Sequence, residues 1–148
     1  MAQVMAAIAN GPRLLWQRWR GTYSPLETAL LDALVARVDA ATAQVLSSQR
    51  GEINFVQRLT APTSESDLYR FVDFRVSLDR TEKFTFVDDE VLLATCTFRA
   101  PRFDPVRVGF WVVGGVLFSL EFDADVRRIL KVAEIAVLSF EQHASAAV

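Results

Sequence analysis

Apolar positions change their spacing near residue 52, from a helical period to simple alternation, and that change predicts the architecture. Leu26, Leu30, Leu34, Val38, Ala41 and Val45 recur at steps of four and three, one stripe that predicts a helix over 24–50. Its start is well marked: Ser24 can cap it, Pro25 suits the first helical position and Glu27 completes a capping box. Gly51 is a plausible stop. Upstream, Pro12 and Gly21 bracket the run G-P-R-L-L-W-Q-R-W-R-G as a short basic helical segment within residues 1–23.

Residues 53–123 read as antiparallel strands. Ile53 to Thr60 is a short strand, and Ala61 to Asp67 (A-P-T-S-E-S-D) reads as a polar loop. Leu68 to Leu78 alternates, with Val72, Phe74, Val76 and Leu78 on one face. Phe84–Val87 and Val91–Ala100 flank the acidic turn Asp88-Asp89-Glu90, with Leu92, Ala94, Cys96 and Phe98 on the core face of the second strand. Val106 to Asp123 is a hairpin about Gly114-Gly115, since both central residues of a type I′ turn need φ > 0. That turn predicts Val113 opposite Val116, Val112 opposite Leu117 and Trp111 opposite Phe118.

Asp123 can cap a last helix over 124–142, with Val126, Ile129, Leu130, Ala133, Val137 and Phe140 as its main stripe. Val132, Ile135 and Leu138 fall outside that stripe, which points to burial on two sides, by the sheet and by a second copy of the chain. The expected fold is a single α+β domain over 1–148. Helices come first, then a meander of about six antiparallel strands, then a C-terminal helix packed on one face.

Composition narrows the function. With 51% hydrophobic and 23% charged residues the chain is folded, and 11 Phe favour a sheet-rich core. A net charge of −2 gives no global attraction to nucleic acid. The charge is uneven: residues 1–23 carry Arg13, Arg18 and Arg20 with no acid, whereas 51–99 hold nine acids against six bases. Cys96 is the single cysteine, so no intrachain disulfide forms and a reducing compartment is expected. The opening residues lack a basic start and a long apolar run, and the uncharged stretch Val108–Leu120 is too short to span a membrane. A cytoplasmic protein is the expectation.

Catalytic signatures are scarce. His143, the only histidine, lies beyond the last apolar stripe and reads as solvated. Cys96 points with the core and reads as a small hydrophobe. The Asp88-Asp89-Glu90 turn lacks calcium-loop spacing, and Glu121, Asp123 and Asp125 suit capping at a strand-to-helix junction better than paired acid–base work. No phosphate-binding, dinucleotide or nucleophile-elbow motif occurs, so no catalytic, cofactor or metal residues are assigned.

Two candidate surfaces remain. Arg13, Trp16, Arg18, Trp19 and Arg20 combine the residue types enriched in interface hot spots, although Trp16 and Trp19 equally suit docking that helix on its own fold. Val132, Ile135 and Leu138 are candidates for self-association into a homodimer. In composition and architecture the chain is similar to many bacterial immunity and adaptor proteins. The expected function is therefore non-enzymatic protein binding, with acidic sheet edges suited to a basic partner. A small-molecule or cavity-type enzyme domain and a self-associating structural domain are the alternatives.

Overall fold

Residues 22–58 and 62–147 are described by the structure, a computed structural model. Where one helix was expected over 24–50 there are two, α1 (Pro25–Arg37) and α2 (Ala40–Glu52). The start of α1 has the anticipated Ser24 cap, Pro25 at the first turn and the Glu27 capping box. Val38 is extended, and Asp39 restarts the helix by accepting from the Thr42 N–H. The break is held from the far end of the chain. Gln142 and Ser145 both donate to the Asp39 carboxylate, and the Ala146 N–H donates to Thr42 Oγ1. Gly51 does not stop α2, which continues to Glu52.

Seven strands follow: β1 (Phe55–Arg58), β2 (Glu65–Val72), β3 (Arg75–Ser77), β4 (Glu90–Arg99), β5 (Val106–Val113), β6 (Val116–Phe122) and β7 (Ala136–Gln142). The sheet order is β1-β2-β6-β5-β4-β7, with β3 paired to β2, and every pairing is antiparallel. The class is α+β with a large antiparallel sheet, but not one continuous meander: β1–β2–β3 and β4–β5–β6 each pair in sequence order, and β2 meets β6 between them. β2 joins β6 through three residue pairs alone, Glu65↔Glu121, Ser66↔Leu120 and Asp67↔Ser119.

The expected C-terminal helix over 124–142 is absent. Residues Arg127–Ile129 form one 3-10 turn, and Ala136–Gln142 is strand β7 on the edge of β4. Its apolar residues fit either period, and the free edge of the ten-residue β4 decides, because tertiary pairing overrides a weak local preference. Val126 and Ile129 still reach the core, but as anchors of a crossing segment. The Val126 N–H donates to the Thr63 carbonyl, and the Leu26 N–H to the Leu130 carbonyl.

Four smaller expectations also change. Glu65–Asp67, read as loop, is the start of β2, because both its edges are paired with β1 and β6. Phe84–Val87 is not a strand and holds to the hairpin turn mainly by Phe84 N–H donating to Gly115 O at 2.9 Å. The approach requires glycine: Gly115 has φ +81°, and a Cβ there would lie 2.5 Å from the Phe84 carbonyl oxygen. The hairpin register follows the sequence for Val113↔Val116 and Val112↔Leu117, then slips by one, so Trp111 faces Ser119. Phe118 is the extra residue of that bulge, and Leu93 is its counterpart in β4. The β4 bulge puts Leu93, rather than Leu92, into the core with Ala94, Cys96 and Phe98.

Burial divides the sheet into two faces. On one, Leu26, Leu30 and Leu34 of α1 and Leu46 of α2 cover Leu68, Cys96, Phe98, Val108, Phe110 and Leu120. Gln49 of α2 fastens this layer by bonding the Leu117 N–H and the carbonyls of Gly115 and Glu82. On the other, Phe55, Tyr69, Phe71 and Phe118 form a separate aromatic cluster.

Candidate functional site

Strand alternation places neighbouring residues of β2 on opposite faces, and two buried acids take advantage of it differently. Ser66 points toward α1, where its hydroxyl donates to Glu27 Oε2 at 2.6 Å. Glu27 is fully buried, yet every oxygen has company. Arg58 of β1 donates from Nε at 2.8 Å and from Nη2 at 2.5 Å, and the Ser24 backbone N–H donates at 2.7 Å. Burial alone would raise its pKa, but these donors outweigh burial and hold it below the ordinary carboxylate value.

Asp67 lies on the other face, 5% exposed, and its Oδ1 has no hydrogen-bond partner. No Lys or Arg among the described residues lies within ion-pair distance of it. Its cross-strand neighbours are the neutral Gln57 of β1 and Ser119 of β6. Burial, and then the carboxylates of Glu65 and Glu121, push its pKa up to about 8. Glu65 stands opposite Glu121 in the register and two residues from Asp67 on β2, so the three side chains form a chain of carboxyl groups along one face of the seam.

Glu121 is the exposed end of that chain. Its pKa is raised by burial and by Glu65, while the indole N–H of Trp111 favours its charged form. Gly109, opposite Glu121 in the register, leaves room for that indole: a Cβ on Gly109 would meet Trp111 Nε1 at 3.4 Å and Leu92 Cδ1 at 3.2 Å. Tyr69, two residues along β2 from Asp67, begins the aromatic cluster; its hydroxyl is raised above its ordinary pKa by burial, then by Asp67 and Glu65. The result is a group of acceptors beside the buried aromatic cluster at the β2–β6 seam.

Sequence reasoning singled out Glu121 but read it as a capping residue at a strand-to-helix junction, not as a member of this cluster. Glu121 was weighed with Asp123 and Asp125, and those two do cap turns. Asp123 accepts from the Arg107 N–H, and Asp125 accepts from the Thr63 and Arg127 N–H groups. Glu65 and Asp67 were missed because A-P-T-S-E-S-D reads as loop; the alternation of Glu65, Asp67, Tyr69 and Phe71 was the available signal.

The candidate partner-binding residues Arg13, Trp16, Arg18, Trp19 and Arg20 lie outside the described residues. The self-association candidates do not share a helix face. Val132 and Ile135 lean on the main core from an irregular segment, while Leu138, 50% exposed, is the extra residue of a bulge in β7. Cys96 is buried in the main core, where burial raises its thiol pKa. His143 Nε2 is 3.0 Å from Thr95 Oγ1 and is partly covered. Among the described residues no group of His, Cys, Asp and Glu is arranged to hold a metal ion, and no helix is long and apolar enough to cross a membrane.

One sizeable groove lies elsewhere. About 720 Å³ opens between α1 and the 133–137 segment, floored by Ala33, Ala100 and Ala136 and flanked by Arg37 and Arg99. Asp32 at its edge is taken by Arg50 at 2.6 Å. No known protein family, curated protein or solved structure matches the chain.

Proposed function

We propose that the protein is a non-enzymatic binding module that recognises a basic segment of another protein through the carboxyl cluster at the β2–β6 seam. The observation that carries this reading is Asp67, a buried acid with an unpartnered oxygen beside two further carboxyl groups. A fold retains such a group at a cost, since an unsatisfied buried polar atom typically loses about 1–3 kcal/mol. A cation from a partner offsets that cost, and Glu121 at the rim steers it.

Titrating labelled lysine-rich, arginine-rich and glutamate-rich peptides of equal length into the full chain tests the reading. Basic peptides bind, their affinity falls steeply with salt, and Asp67→Asn with Glu121→Gln weakens them at least tenfold. Equal binding of the acidic peptide, or basic binding untouched by the double substitution, overturns it. A second reading, a small-molecule site, has the groove flanked by Arg37 and Arg99 in its favour. Its ligand would be an organic anion with an apolar body. Binding of decanoate that is lost in Arg37→Gln with Arg99→Gln would favour it.

A further inference from the structure

Helix α1 and the 130–142 segment run side by side in the same direction, tied at both ends. At one end the Leu26 N–H donates to the Leu130 carbonyl at 3.1 Å; at the other the Asp39 N–H, just past the helix, donates to Gln142 Oε1 at 3.0 Å. The groove of about 720 Å³ lies between these ties, with residues 133–137 as one wall, residues 99–101 as another and Ala29, Ala33 and Arg37 on the helix side. A spacing of four puts those three on one face of α1, so the groove is a trench along the helix. From Ala29 to Arg37 it runs about 12 Å, at 1.5 Å per helical residue.

Its charges are unevenly met. Asp32 is taken by Arg50 at 2.6 Å, and the other acid on the lining, Glu134, is exposed. Among the described residues no acid lies within ion-pair distance of Arg37 or Arg99. Arg37 ends the helix, and Arg99 stands opposite Ala136 where β7 begins. Two unpaired arginines on one trench, in a chain of net charge −2, call for an anion from outside.

We propose that the trench holds an unbranched alkyl carboxylate of medium length, its head between Arg37 and Arg99 and its chain running over the alanines toward Ala29. This rests on the small-molecule reading of the groove and names the ligand's shape and length. The Arg37 Nη1 donates to the Ala33 carbonyl at 3.2 Å, which pins the guanidinium and leaves its other N–H groups for a carboxylate edge. A donor already held in place loses less freedom on binding. The methyl groups of Ala29, Ala33, Ala133 and Ala136 offer the chain an apolar bed. An extended chain advances about 1.25 Å per carbon, so about ten carbons match the trench.

Affinities of the full chain for hexanoate, octanoate, decanoate and tetradecanoate, each kept below micelle-forming concentrations, test this. Every added carbon tightens binding roughly two- to fourfold up to about ten carbons, and longer chains gain nothing. Methyl decanoate, its charge capped, binds about tenfold weaker than decanoate, and Arg37→Gln with Arg99→Gln, both at exposed positions, removes that difference. Ala29→Leu fills about one helical turn at the far end and moves the levelling point to about six carbons. Ala133→Leu, at an exposed position on the facing wall, does the same without touching the helix. Equal affinity for hexanoate and decanoate, a rise that continues to tetradecanoate, or a levelling point unmoved by both leucine variants overturns the chain assignment and leaves an anion site standing. Equal binding of decanoate and its methyl ester overturns the placement of the head group. Absence of binding by every carboxylate overturns this proposal and the small-molecule reading together.

Discussion

Glu27 and Asp67 are both nearly sealed from water, and adjacent residues of β2 connect them: Ser66 reaches one, and the next residue is the other. On the helix-covered face, Glu27 completes a capping box, accepts from the Nε and Nη2 of Arg58 and accepts from Ser66. Its charge is satisfied where it stands, which is how a fold uses a buried ion for architecture. On the opposite face, Asp67 has acids as its nearest charged neighbours and an oxygen with no donor. The same functional group is anchored in one place and left wanting in the other. A carboxyl group that the chain's described residues do not satisfy is where a ligand has something to contribute.

Removing the anchor has the largest expected effect. Arg58→Met leaves Glu27 buried without its cation, at a cost of about 3–5 kcal/mol in unfolding free energy measured with denaturant. A loss below about 1 kcal/mol would show that Glu27 does not depend on Arg58 and would erase the contrast.

Asp67→Asn acts in the opposite direction. The folded protein holds the Asp67 proton more tightly than the unfolded chain does. Its stabilisation is therefore complete below pH 3.8 and is lost as pH rises to about 8. The asparagine variant avoids that loss and gains roughly 2–3 kcal/mol over the parent at pH 9, with little difference at pH 4. Glu27 has the reverse sign. Its folded pKa lies below 4.5, so its contribution is present at neutral pH and is lost on acidification. Parallel denaturant series at four pH values separate the two. A smaller change is expected from Glu121→Gln, about 1 kcal/mol of stabilisation at pH 9, because it relieves the Glu65↔Glu121 repulsion at an exposed position.

The anchored side of this contrast was legible in the residues, and the unsatisfied side was not. Ser24-Pro25-Leu26-Glu27 announces the start of α1, and Gly114-Gly115 announces the β5–β6 turn, because capping and positive φ are local demands that few residues meet. The break at Val38 and the fate of 136–142 depend on partners far along the chain. Asp39 is gripped by residues 142 and 145, and β7 exists because β4 has an edge to fill. The carboxyl cluster depends on β2 meeting β6, a pairing between strands more than fifty residues apart, and on a bulge at Phe118 that sets which side chains share a face. No local pattern encodes either. The turn Asp73-Phe74, with φ of 51° and 64°, likewise splits one expected strand into β2 and β3; Asp73 is of a type enriched in the left-handed region, but Phe74 is not.

The most direct measurement is a carbon-detected NMR titration of the side-chain carboxyl groups in the full chain. Asp67 is expected to titrate near pH 8 and Glu27 below 4.5, with the Asp67 midpoint falling on addition of a lysine peptide. An Asp67 midpoint near 4, unmoved by the peptide, would contradict the claim that the two faces of β2 hold their acids in opposite states.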